Sequence, residues 1–132
     1  MSPSAERGRT VPADETVRRG RLGKAKQFLR VADDALELEE GRGAGDAAVS
    51  LYVLAGIAAA DAICARALGQ HSKGQDHQDA IALLASVDRE ASKWLSTLLG
   101  MKTRAGYGHD PVGAERLRSA QRAASSLVER AQ

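Results

Sequence analysis

From Leu22 onward, apolar residues recur every three or four positions: Leu22, Ala25, Leu29, Ala32 and Leu36, with Phe28 and Ala35 beside them. That spacing is one face of an amphipathic helix. Its start is weaker, because Asp14 is placed to cap it while Gly20 and Gly23 disfavour helix in the opening turns. It ends in acidic residues and Gly41-Arg42-Gly43, a helix stop. Asp46 then precedes the most apolar stretch, Ala47 to Leu68, where Leu51, Tyr52, Val53, Leu54, Ile57 and Ile63 stand among many alanines. A helix apolar on nearly every side belongs at the centre of a bundle. A membrane span does not fit, since Ser50, Asp61 and Arg66 interrupt the stretch and much of its apolar content is alanine.

Residues 69–74 are expected to form a loop. Asp76 is the N-cap of a short helix with Ala80, Ile81, Leu84 and Val87 on one face. Asp88 caps the next, which carries Ala91, Trp94, Leu95, Leu98, Lys102 and Ala105 until Gly106, Gly108 and Pro111 break it. The final helix has the cleanest stripe: Leu117, Ala120, Ala124, Leu127, Val128 and Ala131, with Arg116, Arg118, Arg122 and Arg130 elsewhere on its surface. Five helices with short connections predict an all-α antiparallel bundle. Before them, Pro3, Gly8, Pro12 and small polar residues show no period. The expected organisation is a disordered basic arm over residues 1–14 and a single helical domain over residues 15–132.

Composition agrees. The 132 residues suffice for one domain, and 3% aromatic content argues against an all-β fold. Cys64 is the single cysteine, so neither an intramolecular disulfide nor a multi-cysteine zinc site can form; in its apolar setting a buried, inert thiol is expected. The opening residues lack the apolar stretch of a signal peptide, which makes a cytoplasmic location the expectation. A formal net charge of +2 conceals an asymmetry: residues 1–30 carry eight Lys/Arg against three Asp/Glu, the rest eleven against fourteen. Such an arm either contacts nucleic acid electrostatically or is a solvated tail.

No P-loop, dinucleotide-binding glycine motif or HExxH pair is present, so no cofactor or metal is expected. His71, His77 and His109 are scattered, and His77 reads as a surface or capping residue. The stretch Lys102-Thr103-Arg104-Ala105-Gly106-Tyr107-Gly108-His109-Asp110-Pro111 stands out at a helix break. On a continuous helix Arg104 and His109 would point about 140° apart, but the two glycines let the backbone leave helical geometry and re-aim the imidazole. A guanidinium for phosphate beside an imidazole for proton transfer is the minimum set for RNA cleavage without a metal, the 2′-hydroxyl being the nucleophile. The alternative is a structural role in the turn or in a subunit contact. A second Arg-x4-His, Arg66 to His71, lies at the end of the central helix.

These features resemble the HEPN family (higher eukaryotes and prokaryotes nucleotide-binding), small helical bundles in which many members carry Arg, four to six residues and His near the start of the last long helix. The resemblance covers roughly residues 22–131. It comprises the Ala-rich central helix ending Ala60-Asp61-Ala62, the segment Asp76-His77-Gln78-Asp79-Ala80 opening a short helix, and Met101 to His109 before a final helix ending Leu127-Val128-Glu129. Short members of actinobacterial type have a similar Lys-x-x-Ala-Gly-Tyr core before that helix. Arg104–His109 occupies the family's motif position, whereas Arg66–His71 sits at the other kind of helix end.

The resemblance implies a homodimer in which two Arg–His motifs face each other. Catalytic members cut RNA as toxins or defence effectors, in some cases beside a nucleotidyltransferase antitoxin; others bind nucleotide, RNA or a protein partner without catalysis. On this basis Arg104 would hold the scissile phosphate and His109 would move the proton, with Tyr107 supporting. The Tyr107-Gly108 pair departs from the usual form, where an aromatic follows the histidine. Asp61 is a further supporting candidate, placed to orient Arg104 or tune His109. Its alternative is a solvated stripe through Asp46, Ser50 and Asp61, since Ser50 and Asp61 nearly eclipse on a helix.

Overall fold

The computed structural model describes residues 10–38, 43–74 and 76–132, with Arg104 by its backbone. Of the described residues, 79% are helical. In order it forms β1 (Thr10–Pro12), α1 (Glu15–Leu38), α2 (Gly45–Leu68), β2 (Gln70–Ser72), α3 (His77–Ala85), α4 (Arg89–Tyr107) and α5 (Ala114–Ala131). The all-α bundle expected from periodicity is the architecture observed.

Helix α1 begins earlier than its hydrophobic stripe. Asp14 Oδ1 accepts from Val17 N at 2.9 Å, and Arg18 reaches back to Glu15 with two bonds of 2.6 and 2.7 Å. The cap satisfies one of the amides that a helix start leaves open, so the helix persists through Gly20 and Gly23, which face open space. Its buried positions, Ala25 and Ala32, lie flat against α2.

Helix α2 contacts all four other helices. It is long and apolar enough to cross a membrane by length and composition alone, but 67% of its apolar window is buried inside the bundle, the situation of a core helix. Its small residues permit close packing. A Cβ placed on Gly56 would stand 2.3 Å from Leu98 Cδ1 of α4 and 3.3 Å from Leu127 Cδ1 of α5, so both helices cross α2 where it has no side chain. The helix stops at Gly69, whose φ of +69° suits glycine and directs its amide to Ala65 O.

Two expectations for the connections are corrected. The segment 69–74 contains strand β2, which pairs antiparallel with β1 in the register Thr10↔Ser72, Val11↔His71 and Pro12↔Gln70. The arm is therefore built into the fold from Thr10, and Ala13 N adds a bond to Gly69 O at 2.9 Å. Pro12 is tolerated because a two-stranded ribbon consists only of edges. The remainder of the expected arm, residues 1–9, and the Gly41-Arg42 part of the helix stop lie outside the described residues.

The last three helices follow their caps. Asp76 accepts from Gln78 N and Asp79 N at the start of α3, and Asp88 accepts from Ala91 N at the start of α4. Helix α5 buries Ala120, Ala123, Ala124, Leu127, Val128 and Ala131. Its C-terminal carbonyls receive the Arg66 guanidinium, a cation at the negative end of the helix dipole. Arg130 closes the same end of the bundle, bonding Asp88 at 2.6 Å and Glu90 at 2.7 Å and lying 4.9 Å from the Trp94 ring centre.

Candidate functional site

The α4–α5 corner carries the Arg-x4-His motif. Helix α4 runs to Tyr107, which places the Arg104 backbone in its last turns and His109 two residues beyond its end. The corner resumes order where Asp46, in the first turn of α2, accepts from Val112 N at 2.9 Å. Asp46 is thus a brace for the connection and not part of a solvated stripe. His109 is 95% exposed, its Nε2 lying 3.3 Å from Asp110 Oδ1. Tyr107 is 85% exposed. Neither ring contributes to the core, so both are available to a molecule outside the bundle.

Asp61 stands elsewhere. Its carboxylate is 13% exposed and receives Arg21 Nε at 3.0 Å and Nη2 at 2.9 Å, while His71 Nδ1 lies 3.7 Å away. Asp61 is thus not part of a solvated stripe but the centre of a partly buried cluster drawn from α1, α2 and β2. Burial raises the Asp61 carboxyl above the ordinary carboxylate range, opposed by the charges of His71 and Arg21. His71 is tied in further by a 2.7 Å contact between Nδ1 and Ser72 O. Both members of the second Arg-x4-His match therefore have structural tasks, Arg66 at the end of α5 and His71 beside Asp61.

One flank of this cluster opens into a small cleft between α2, β2, α3 and α4. Ile57, Ala60, Leu83, Leu95 and Leu99 make an apolar floor; Asp61, Cys64, Ser72, His77 and Lys102 supply the polar groups. The Cys64 thiol is pushed up to about 12 by burial and by the nearby Asp61 charge, which makes it a poor nucleophile, as its apolar setting implied. Among the described residues no group of three His, Cys, Asp or Glu is placed to hold a metal ion.

Periodicity could not reveal this arrangement. Arg21 and Asp61 are 40 residues apart, and nothing local in either helix announces the pair. Lys102 and His77 are visible in the sequence only as ordinary surface-type residues. No protein-family model and no curated protein sequence matches the chain.

Proposed function

We propose that the chain is an RNA-directed domain of HEPN type that acts as a homodimer and cleaves RNA without a metal ion. The single observation supporting this is the state of the α4–α5 corner: an imidazole free of packing, five residues after an arginine on the last turns of α4, with an exposed tyrosine between them. In a dimer, Arg104 would bind the scissile phosphate in the planar, bidentate manner available to a guanidinium. One His109 would accept the 2′-hydroxyl proton as that oxygen attacks phosphorus. The bond to the 5′-oxygen breaks, and the other His109 returns a proton to the departing oxygen. Products are a 2′,3′-cyclic phosphate and a 5′-hydroxyl. Tyr107 supplies a ring on which a splayed base can stack. Asp61 has no part in this scheme.

A second reading, a non-catalytic module binding RNA, nucleotide or a protein partner such as a nucleotidyltransferase antitoxin, draws support from a different detail. Among the described residues, the acidic group in ion-pair range of His109 is its own neighbour Asp110, itself exposed, a weak orienter for a catalytic imidazole.

Incubation of a labelled RNA oligonucleotide with the protein in excess chelator tests both. The catalytic proposal expects cyclic phosphate ends, an intact DNA control, loss of cleavage in His109→Ala and Arg104→Lys, and retention in His71→Ala. Binding without cleavage, abolished by the same corner variants, favours the module. Light scattering that gives 13.9 kDa, the mass of a single chain, at high concentration counts against the composite site.

A further inference from the structure

Helix α2 is packed against α1, α5 and α4, and the strip of it between α1 and α4 stays open. A soluble helix ordinarily turns charged residues to such a strip. From Ala47 to Ala60 this helix has none. Its open side shows Ala47, Ser50, Leu51, Leu54 and Ile57 at helical spacing, each at least partly in water. Helix α1 extends the strip. Asp33 is turned to Tyr52 and Gln121, so Phe28, Val31, Ala35 and Leu38 fall on the far side of α1, away from α5. The Asp33–Tyr52 and Arg21–Asp61 contacts hold α1 antiparallel to α2 and set Val31 level with Leu54. The two stripes merge into one apolar face. Leu38, Val31 and Leu54 are 82%, 45% and 42% exposed, so three of the five large apolar side chains left in water among the described residues lie together on it. Scattered singly they would mean little; contiguous, they mark a contact surface.

We infer that a second copy of the chain docks on this face, about a two-fold axis beside Leu54 that sets α2 antiparallel to its own copy. The charge on α1 selects that occupant. Its first half is basic, with Lys24, Lys26 and Arg30, and its second half is acidic, with Asp33, Asp34 and Glu37. A two-fold axis level with Val31 brings the basic half of each α1 toward the acidic half of the other, so attraction arises at both rims at once. An anionic lipid surface would be repelled by Asp34 and Glu37. An unrelated protein would have to reproduce the same split of charge. The inference deepens the homodimer of the proposed function and rests on that reading for the copy number alone; the face follows from packing and charge.

Sedimentation equilibrium of the full chain tests it. The wild type is expected at twice 13.9 kDa by about 100 μM. Leu54→Glu, at a position already in water, is expected to raise the dissociation constant at least about thirtyfold while the circular dichroism spectrum stays helical. Val31→Lys asks the same question from α1 should that variant fail to fold. Lys24→Glu is expected to weaken the dimer, and adding Asp34→Lys and Glu37→Lys to restore it. Arg122→Glu, on the exposed side of α5, is expected to leave the mass unchanged. Leu54→Cys should join two chains through a short bis-maleimide, since the native Cys64 is buried, and Gly100→Cys should not. A monomer at that concentration, a dimer indifferent to both Leu54→Glu and Val31→Lys, no recovery on charge reversal, or no cross-link at Leu54→Cys would each overturn the inference. A dimer that survives both substitutions and still cleaves RNA would remove this face and leave the RNA reading. A dimer lost in Leu54→Glu that neither binds nor cleaves RNA as wild type would uphold the face and remove the RNA reading.

Discussion

Arg21 and Asp61 join α1 to α2 through one guanidinium on one carboxylate oxygen: Nε donates a hydrogen bond to Oδ2 at 3.0 Å, and Nη2 forms an ion pair with the same oxygen at 2.9 Å. Both side chains are largely withdrawn from water, with 28% and 13% of their surfaces exposed. Truncating Arg21 would leave a partly buried carboxylate facing His71 alone. Arg21→Ala is therefore expected to cost about 1–3 kcal/mol of stability, below the range for fully buried pairs because both groups retain some water. The double variant Arg21→Ala/Asp61→Ala is expected to recover part of that loss in urea denaturation.

The same pair predicts a pH dependence of definite sign. The Asp61 carboxyl is raised in the folded state by burial, with His71 and Arg21 pulling the other way. A raised acid favours the fold most when it is protonated. That contribution is complete below the ordinary carboxylate range and disappears as pH rises through the raised value. Loss of Arg21 removes one opposing charge and moves this window upward. The deficit of Arg21→Ala should thus be smaller near pH ~4 than near pH ~7. A deficit equal at both would assign the effect to packing of the arginine stem.

Gly56 and Gly100 make a matched pair of glycine-to-alanine tests. At Gly56 the added methyl would meet Leu98 Cδ1 at 2.3 Å, and Leu98 is itself fully buried, so it has little room to yield. Gly56→Ala is expected to destabilise by about 1–3 kcal/mol. At Gly100, an exposed helical position with nothing within 4 Å, alanine is expected to stabilise by up to about 1 kcal/mol. Thermal melts of the two variants should move in opposite directions.

Cys64 is expected to resist a thiol-specific reagent at pH ~8, where an ordinary cysteine reacts readily. Its thiol is pushed up to about 12 and is 3% exposed. Full reactivity should return in denaturant. Rapid labelling of the native protein would mean that the α2–β2 end opens often.

At the corner, stability and function should separate. His109→Ala and Tyr107→Ala remove rings that lie outside the core, so each is expected to change stability by no more than about 0.5 kcal/mol. The same variants should lose RNA cleavage or binding. Marked destabilisation in chemical denaturation would make the corner a structural feature instead.

Much of the fold was legible because its signals are local. The stripe of α5 from Leu117 to Ala131 and the caps at Asp76 and Asp88 lie within single elements, and the apolar character of α2 marks it as central without reference to any neighbour. The β1–β2 ribbon was not legible, since three residues are too few to show an alternating period and Pro12 reads against a strand. The start of α1 was obscured because propensity at Gly20 and Gly23 opposed a cap whose contribution is positional. For the site, the spacing of Arg104 and His109 could be read directly, whereas the true partners of Asp61 come from two other elements and follow only from how α1 and β2 pack on α2.

The bond from Val112 N to Asp46 has a consequence for how the exposed histidine is carried. Between the end of α4 at Tyr107 and the clamp at Val112, the chain is a short bridge anchored at both piers, one of them on a different helix. Extra residues placed among Gly108 to Pro111 would lengthen the span and let His109 wander, yet leave both piers standing. Loss of the Asp46 carboxylate would instead release one pier, so the aim of the imidazole depends on a residue more than sixty positions upstream. A substitution at the first turn of α2, remote in sequence from Arg104 and His109, would then present as a defect in the motif itself.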